Sequence, residues 1–286
     1  MILVTGATGT IGSLLVPELL ARGAEVRAFT RDPGAANFPP GVEVARGDFH
    51  DPDSVAAALA GAEALFLVGV GLAGSADEVL VEAAVAAGVR RVVKLSAIGT
   101  GDPALGLAGT WHAPGERAVR DSGMAWTILR PSSFASNTLS WRDAIAAGAP
   151  VPNPVGTGAQ GVIDPRDVAS VAAATLVEPG HDGRVYTLTG PDLLTTADQA
   201  AILSRTLGLP VAVADIDAAT AREQLIAGGT DPVFADGVVR AQAYVAAGGN
   251  AVRTGDVEKV LGRPPHSFGE WAAGRRSAFA VARVTS

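Results

Sequence analysis

His112 and Glu116 are residues whose types and spacing could do chemistry. Four positions apart, they share one face of any helix that contains both. Pro114 between them belongs in a first helical turn, which sets His112 at or just before the helix start. There the positive end of the helix favours a neutral imidazole. Ser96, closing an apolar run, adds a hydroxyl that could bond a substrate or a ribose, or simply the backbone. The chain has no cysteine, so disulfides, thiolate metal ligands and cysteine nucleophiles are excluded by counting. His50 and His181 stand in polar, turn-like surroundings, and no His/Asp/Glu set has metal-ligand spacing, so no metal is expected.

The elements that must position these residues follow a βαβ rhythm. Strands are expected near Ile2–Val4, Glu25–Phe29, Val42–Ala45, Ala64–Val68, Arg91–Leu95 and Trp126–Leu129. Helices are expected over Ser13–Ala21, Pro52–Leu59, Ala76–Ala87 and Pro114–Asp121, three of them closing at Gly23, Gly61 and Gly88. Such a succession implies an α/β, Rossmann-type doubly wound parallel sheet with its ligand at the carboxyl ends of the strands.

MILVTGATGTIG opens the chain as strand, glycine turn and helix start. Gly6, Gly9 and Gly12 allow a tight turn and close backbone approach to a pyrophosphate, whose charge meets unpaired N–H groups at the helix N-terminus. Thr8, Thr10 and Ile11 complete that turn. Arg31, after the second strand, can pair with the 2′-phosphate of NADP(H). Asp32 beside it is either an NAD(H)-selecting carboxylate or a turn residue before Pro33. NADP(H) is therefore expected ahead of NAD(H). Asp48 and Phe49 are placed to meet the adenine, with a turn role as the alternative for Asp48, and Val68 and Gly69 close the fourth strand on the cofactor side.

With 286 residues, 48% hydrophobic and 18% charged, the chain can bury a large core and carry a second lobe. A Pro/Gly-rich stretch from Gly148 to Gly161 suggests a Rossmann domain over 1–150 and a smaller, mostly helical substrate lobe over 151–286, with parts of 161–190 returning to the first. Beyond the stretch, a short strand is read at Gly161–Ile163, a helix at Pro165–Leu176 and a strand at Val185–Leu188. A net charge of -7 without a basic run argues against nucleic acid and anionic membranes. The apolar stretch between Glu63 and Asp77 is too short to span a bilayer, and the N-terminus lacks a basic n-region. A cytoplasmic protein with a small-molecule substrate is the expectation; a homodimer is compatible with the sequence but not specified by it.

TGATGTIG, FTRDP, GDFHDPDSV, VVKLSA, SGMAWTILRPSSF, VIDPRDVASVAAATL, VYTLTGP and FGEWAAGRRSAF together resemble the NmrA-like family of atypical short-chain dehydrogenase/reductases. The resemblance runs over nearly the whole chain and implies this fold and an NAD(P)-binding role. The family's quinone- and azo-reductase branch shows a similar HxxxE pattern, which implies a catalytic site at His112 and Glu116. The Tyr-x-x-x-Lys pair of conventional relatives is missing: Tyr186 and Tyr244 are each followed four residues later by glycine, and the only lysines are Lys94 and Lys259. Ketone reduction is thereby disfavoured, because its alkoxide needs an acid at hand. A quinone makes no such demand, since its reduction gives a stabilised phenolate. Phe134, Asn137 and Trp141, spaced as on a helix after Arg130-Pro131, could line the substrate wall, with packing against the second lobe as the alternative for the two aromatics. The segment Ile98–Gly109, with four glycines and few anchors, reads as a mobile rim or lid. The leading expectation is an NAD(P)H-dependent oxidoreductase acting on a quinone-like or conjugated molecule. A non-catalytic dinucleotide sensor, and a biosynthetic isomerase, cyclase or dehydratase on the same fold, stay open beside it.

Overall fold

In a computed structural model, which describes residues 1–34, 36–69 and 75–279, short apolar runs form β1 (Ile2–Val4), β2 (Val26–Thr30), β3 (Glu43–Arg46), β4 (Ala64–Leu67), β5 (Arg91–Leu95) and β6 (Ala125–Pro131). After β7 (Val151–Asn153), β8 (Arg184–Leu188) rejoins them in a seven-stranded parallel sheet of order β3-β2-β1-β4-β5-β6-β8. The order reverses between β1 and β4, whose register sets Val4 opposite Phe66. Crossover helices cover both faces of a parallel sheet, so a ligand finds room only at the strand ends beside that reversal.

Helix α1 (Gly12–Ala21) follows β1, α2 (Pro52–Leu59) precedes β4 and α3 (Ser75–Ala86) precedes β5. A one-turn α4 (Leu107–Thr110) leads into α5 (Ala113–Asp121) before β6, and α6 (Arg142–Ala146) precedes β7. α7 (Pro165–Val177) starts where the Asp164 carboxylate caps the Arg166 N–H with Pro165 in the first turn. Then come α8 (Thr196–Leu207), β9 (Val213–Asp215), α9 (Ala218–Ala227), α10 (Pro232–Ala246), α11 (Asp256–Leu261) and α12 (Phe268–Gly274). Leu15 and Leu19 of α1 pack with Val168 and Ala172 of α7 on one sheet face; Leu59, Leu80 and Val119 of α2, α3 and α5 cover the other.

A third core is built from Ala135, Ile145, Val151, Leu203, Phe268 and Trp271, away from the sheet's two faces. Ala135 and Ile145 lie before residue 150, and Val257 of α11 lies in the first core. Residues of the first and third cores therefore interleave along the chain. The strand expected at Gly161–Ile163 is a single bridge from Ile163 to Phe134. The pairing of β7 with β9 escaped notice because three-residue segments such as Val-Pro-Asn carry no readable alternation. Residues 70–74 of the apolar stretch and 280–286 of the expected second lobe lie outside the described residues. Among the described residues no helix is long and apolar enough to cross a membrane.

Candidate active site

The glycine turn after β1 presents bare backbone. Gly6 has φ +60°, the Gly9 N–H bonds its carbonyl at 2.9 Å, and Thr8, Gly9 and Thr10 form an exposed tip. No side chain caps α1 at Ile11, whose own side chain is buried in the core. The Ser13 and Leu14 N–H groups turn back to the Gly9 and Ile11 carbonyls, and among the described residues those of Thr10, Ile11 and Gly12 make no backbone bond and remain for an anion. The glycines differ in what they spare. A Cβ on Gly12 would stand 2.2 Å from the Gly6 carbonyl oxygen, whereas one on Gly9 would approach that oxygen only to 3.2 Å. Gly12 closes the turn internally; Gly9 keeps its outer surface open. A pyrophosphate fits this cradle, with the N–H groups of Thr10, Ile11 and Gly12 to hold it.

Arg31 is exposed at the end of β2. One carboxylate oxygen of Asp32 accepts the Gly34 N–H at 3.1 Å, the turn role that was the alternative to cofactor selection. Asp48 likewise serves a turn, accepting the His50 N–H, while Phe49 stacks on Phe29 at 5.6 Å between centroids. The Val68 N–H donates to Thr5 Oγ1, and its side chain lines the neighbouring cavity. Gly69 has a packing reason to be glycine: a Cβ there would fall 1.8 Å from Asp77 Oδ1. Asp77 is buried and paired at 2.9 Å with the fully buried Lys94.

Beyond the turn a cavity of about 590 Å³ opens between the carboxyl ends of β4, β5 and β6 and a wall drawn from residues 152–160, 196–199 and 238–250. It brings together Val68, Ser96, His112, Phe134, Asn137 and Trp141. The 134–141 stretch does so as a 3₁₀-helix, Ala135–Trp141. His112 is half-buried and occupies the N-cap position of α5. Burial first, and then the positive charge of Lys94, pushes its pKa down to about 4, against a smaller upward pull from Glu116. At neutral pH the cavity therefore faces an uncharged imidazole.

Glu116 does not touch that ring as expected for a partner of His112; its oxygens are taken elsewhere. Arg130 grips it with a fork, Nε to Oε1 at 2.8 Å and Nη2 to Oε2 at 2.7 Å; Ser96 Oγ donates to Oε1 at 2.6 Å and Arg120 stands 3.0 Å from Oε2. Burial would raise this carboxyl, but the hydrogen bonds from Arg130 and Ser96 and the charges of Arg130 and Arg120 hold it below its ordinary value. The Ser96 hydroxyl spends its one hydrogen on Glu116, and Thr100 Oγ1 spends its own on the Ala97 carbonyl. Ser96 has none left for a substrate.

The loop expected to be loosely held is anchored. Tyr244 Oη donates to Asp102 at 2.9 Å, and Trp111 stacks on Phe234 of α10 at 4.5 Å. Sequence reasoning missed the far wall, including Gln160, Gln242, Tyr244 and Asn250. A signal existed for part of it: Val238, Ala241, Gln242 and Val245 recur at helical spacing on α10, one amide in an otherwise apolar stripe. Among the described residues no group of three or more His, Asp or Glu side chains could hold a metal ion.

A family model described as NAD(P)H-binding matches residues 6–179. The chain is 39% identical to the (4-alkanoyl-5-oxo-2,5-dihydrofuran-3-yl)methyl phosphate reductase of Streptomyces griseus over 98% of its length and 99% of that protein's. It is 35% identical to an NAD(P)H azoreductase of Xenophilus azovorans, covering 99% and 100% of the two chains. Its fold superposes with a TM-score of 0.83 on an NADPH-dependent quinone oxidoreductase of Escherichia coli complexed with NADPH, at 27% identity and covering 96% and 99%.

Proposed function

Since the chain belongs to the NAD(P)H-binding family, within the NmrA-like atypical short-chain dehydrogenase/reductases, we propose that it is an oxidoreductase that reduces a quinone-like or conjugated aromatic small molecule with NADPH. The carrying observation is that His112, Phe134, Asn137 and Trp141 line one cavity beside the phosphate-binding turn. When bound, NAD(P)H supplies the hydride.

The protein's own groups bind and orient. The turn from Gly6 to Gly12 holds the pyrophosphate, Arg31 prefers the 2′-phosphate over a bare ribose, and Asp48, Phe49, Val68 and Gly69 border the cofactor. Phe134 and Trp141 offer flat apolar area to an aromatic acceptor, and Asn137 an amide at its edge. Neutral His112 donates one hydrogen bond to the acceptor's oxygen; with a pKa near 4 it carries no surplus proton at neutral pH. A phenolate-type product needs none from the protein. Ser96 and Glu116 act as positioning residues, tying the end of β5 to α5 and to Arg130 of β6. We place this reaction in the cytoplasm, with neither nucleic acid nor membrane as partner.

Incubation with NADPH and a panel of quinones and azo dyes, followed by loss of nicotinamide absorbance, tests the proposal. Turnover of at least one member is expected, with NADPH preferred to NADH. Tight NADPH binding without turnover across the panel would retire the proposal in favour of a dinucleotide sensor.

A further inference from the structure

The cavity's ionisable inventory is unusual for its polarity. Among the described residues its lining includes serines, threonines and amides, yet no Asp, Glu, Lys or Arg; of these residues only His112 and Tyr244 can titrate. Tyr244 donates its hydroxyl hydrogen bond to Asp102, and His112 is neutral. An anion entering here would leave water without meeting a cation, which is costly in a low-dielectric site.

The second-lobe wall also carries hydrogen-bonding capacity that the protein does not use. Among the described residues, Asn250 is buried, donates through Nδ2 to Gln160 Oε1 at 3.1 Å, and leaves its own Oδ1 without a partner. Gln242 Oε1, from α10, is buried and unpartnered as well. Turning both the Asn250 and Gln160 amides over preserves their mutual bond and leaves an N–H surplus instead of an oxygen. In the first orientation the wall offers two acceptors, of which a hydroxyl satisfies one with its single hydrogen; with the amides turned it offers one donor and one acceptor, and a hydroxyl can answer each. Buried polar atoms without partners cost stability until a ligand supplies them.

We propose that Gln242 and Asn250 are specificity-determining residues that select an uncharged, hydroxyl-bearing substrate and exclude its phosphorylated or carboxylated counterpart. The inference rests on the reading of this cavity as the substrate site. It assigns to the second lobe a choice of substituent, separate from the choice of an electron-accepting ring.

Three probes differing at one substituent test it: 2-methyl-1,4-naphthoquinone, its 2-hydroxymethyl analogue and the phosphate ester of that analogue, each assayed for kcat/KM with NADPH. The hydroxymethyl compound is expected to exceed the methyl compound roughly tenfold, and the phosphate ester about a hundredfold. In the Gln242→Leu/Asn250→Leu double variant, checked for fold by circular dichroism and for NADPH binding by titration, the hydroxymethyl-to-methyl ratio is expected to fall toward one. A phosphate ester used as well as its parent alcohol, or a ratio unchanged in the variant, overturns the inference. If none of the probes is turned over, calorimetric titration of the NADP⁺-loaded protein with the same three compounds decides. The same order of affinities upholds the inference, while the oxidoreductase reading is decided separately by the quinone and azo-dye panel; equal affinities, or no binding by any probe, overturn the inference. Should the double variant fail to fold, Gln242→Glu replaces it: an added carboxylate is expected to weaken the phosphate ester further, and improved use of the ester counts against the inference.

Discussion

An imidazole held neutral far below its usual range is a different tool from a general acid, and it makes separable predictions. His112→Ala should lower turnover on a working quinone by roughly ten- to a thousandfold, since one oriented hydrogen bond is lost, while NADPH affinity stays within about threefold. Stopped-flow rates and equilibrium titration check the two halves. Its pKa is depressed on folding, so protons bind the unfolded chain more readily below pH 6.5, and its contribution to stability is lost as pH falls through about 4. The pH-rate profile should accordingly show no inflection near 6.5 from this residue, only a decline on approach to 4. Arg31→Ala should weaken NADPH by roughly ten- to a hundredfold more than NADH, since it removes a charge-assisted bond to one phosphate; equal losses would return Asp32 to consideration. At this scale the cofactor turn was readable because its chemistry is written in consecutive residues. The partners of Glu116 were not, since Arg130 and Ser96 reach it from other strands at separations of 14 and 20 residues. No local pattern announces a contact of that kind.

Among the elements, the two ends of one glycine turn should respond oppositely to a methyl group. Gly12→Ala drives a Cβ into the Gly6 carbonyl and should cost on the order of 3 kcal/mol of stability, seen as a lower urea midpoint. Gly9→Ala should fold nearly as well and lose dinucleotide affinity instead, because its added carbon faces the space a pyrophosphate needs. If both variants unfold alike, the open side of the turn has been misassigned. Glu116→Gln belongs here too, because the carboxylate ties α5 to β5 and β6. Arg130 and Arg120 are partly solvated, so the loss is discounted from that of a wholly buried pair to about 2 kcal/mol, roughly 5 °C in Tm by calorimetry. The strands of the sheet and their crossover helices were legible to within a few residues because buried parallel strands are continuous apolar runs. β7 and β9 were not, since a strand of three residues owes its existence to the partner it happens to meet.

Over the whole molecule, α10 does two jobs: it supplies Gln242 and Val245 to the cavity wall and holds the 98–112 segment through Tyr244 and Phe234. The role of the second lobe could not be read from the chain, because its residues converge on the cavity from positions 160, 199, 242 and 250 and have meaning only once the sheet has gathered them. The burial of Lys94 against Asp77, in a chain without cysteine, carries a further consequence. Quinones are electrophiles that arylate thiols and free amines, so an enzyme that handles them risks poisoning itself. Here the soft nucleophile is absent and one of the two lysines is sealed in an ion pair, while the other, Lys259 of α11, lies over the ring of Tyr186 of β8, outside the cavity lining. Prolonged exposure to excess p-benzoquinone at neutral pH should therefore leave the cavity residues unmodified by mass spectrometry, and adducts at cavity residues would show that this immunity is not built in.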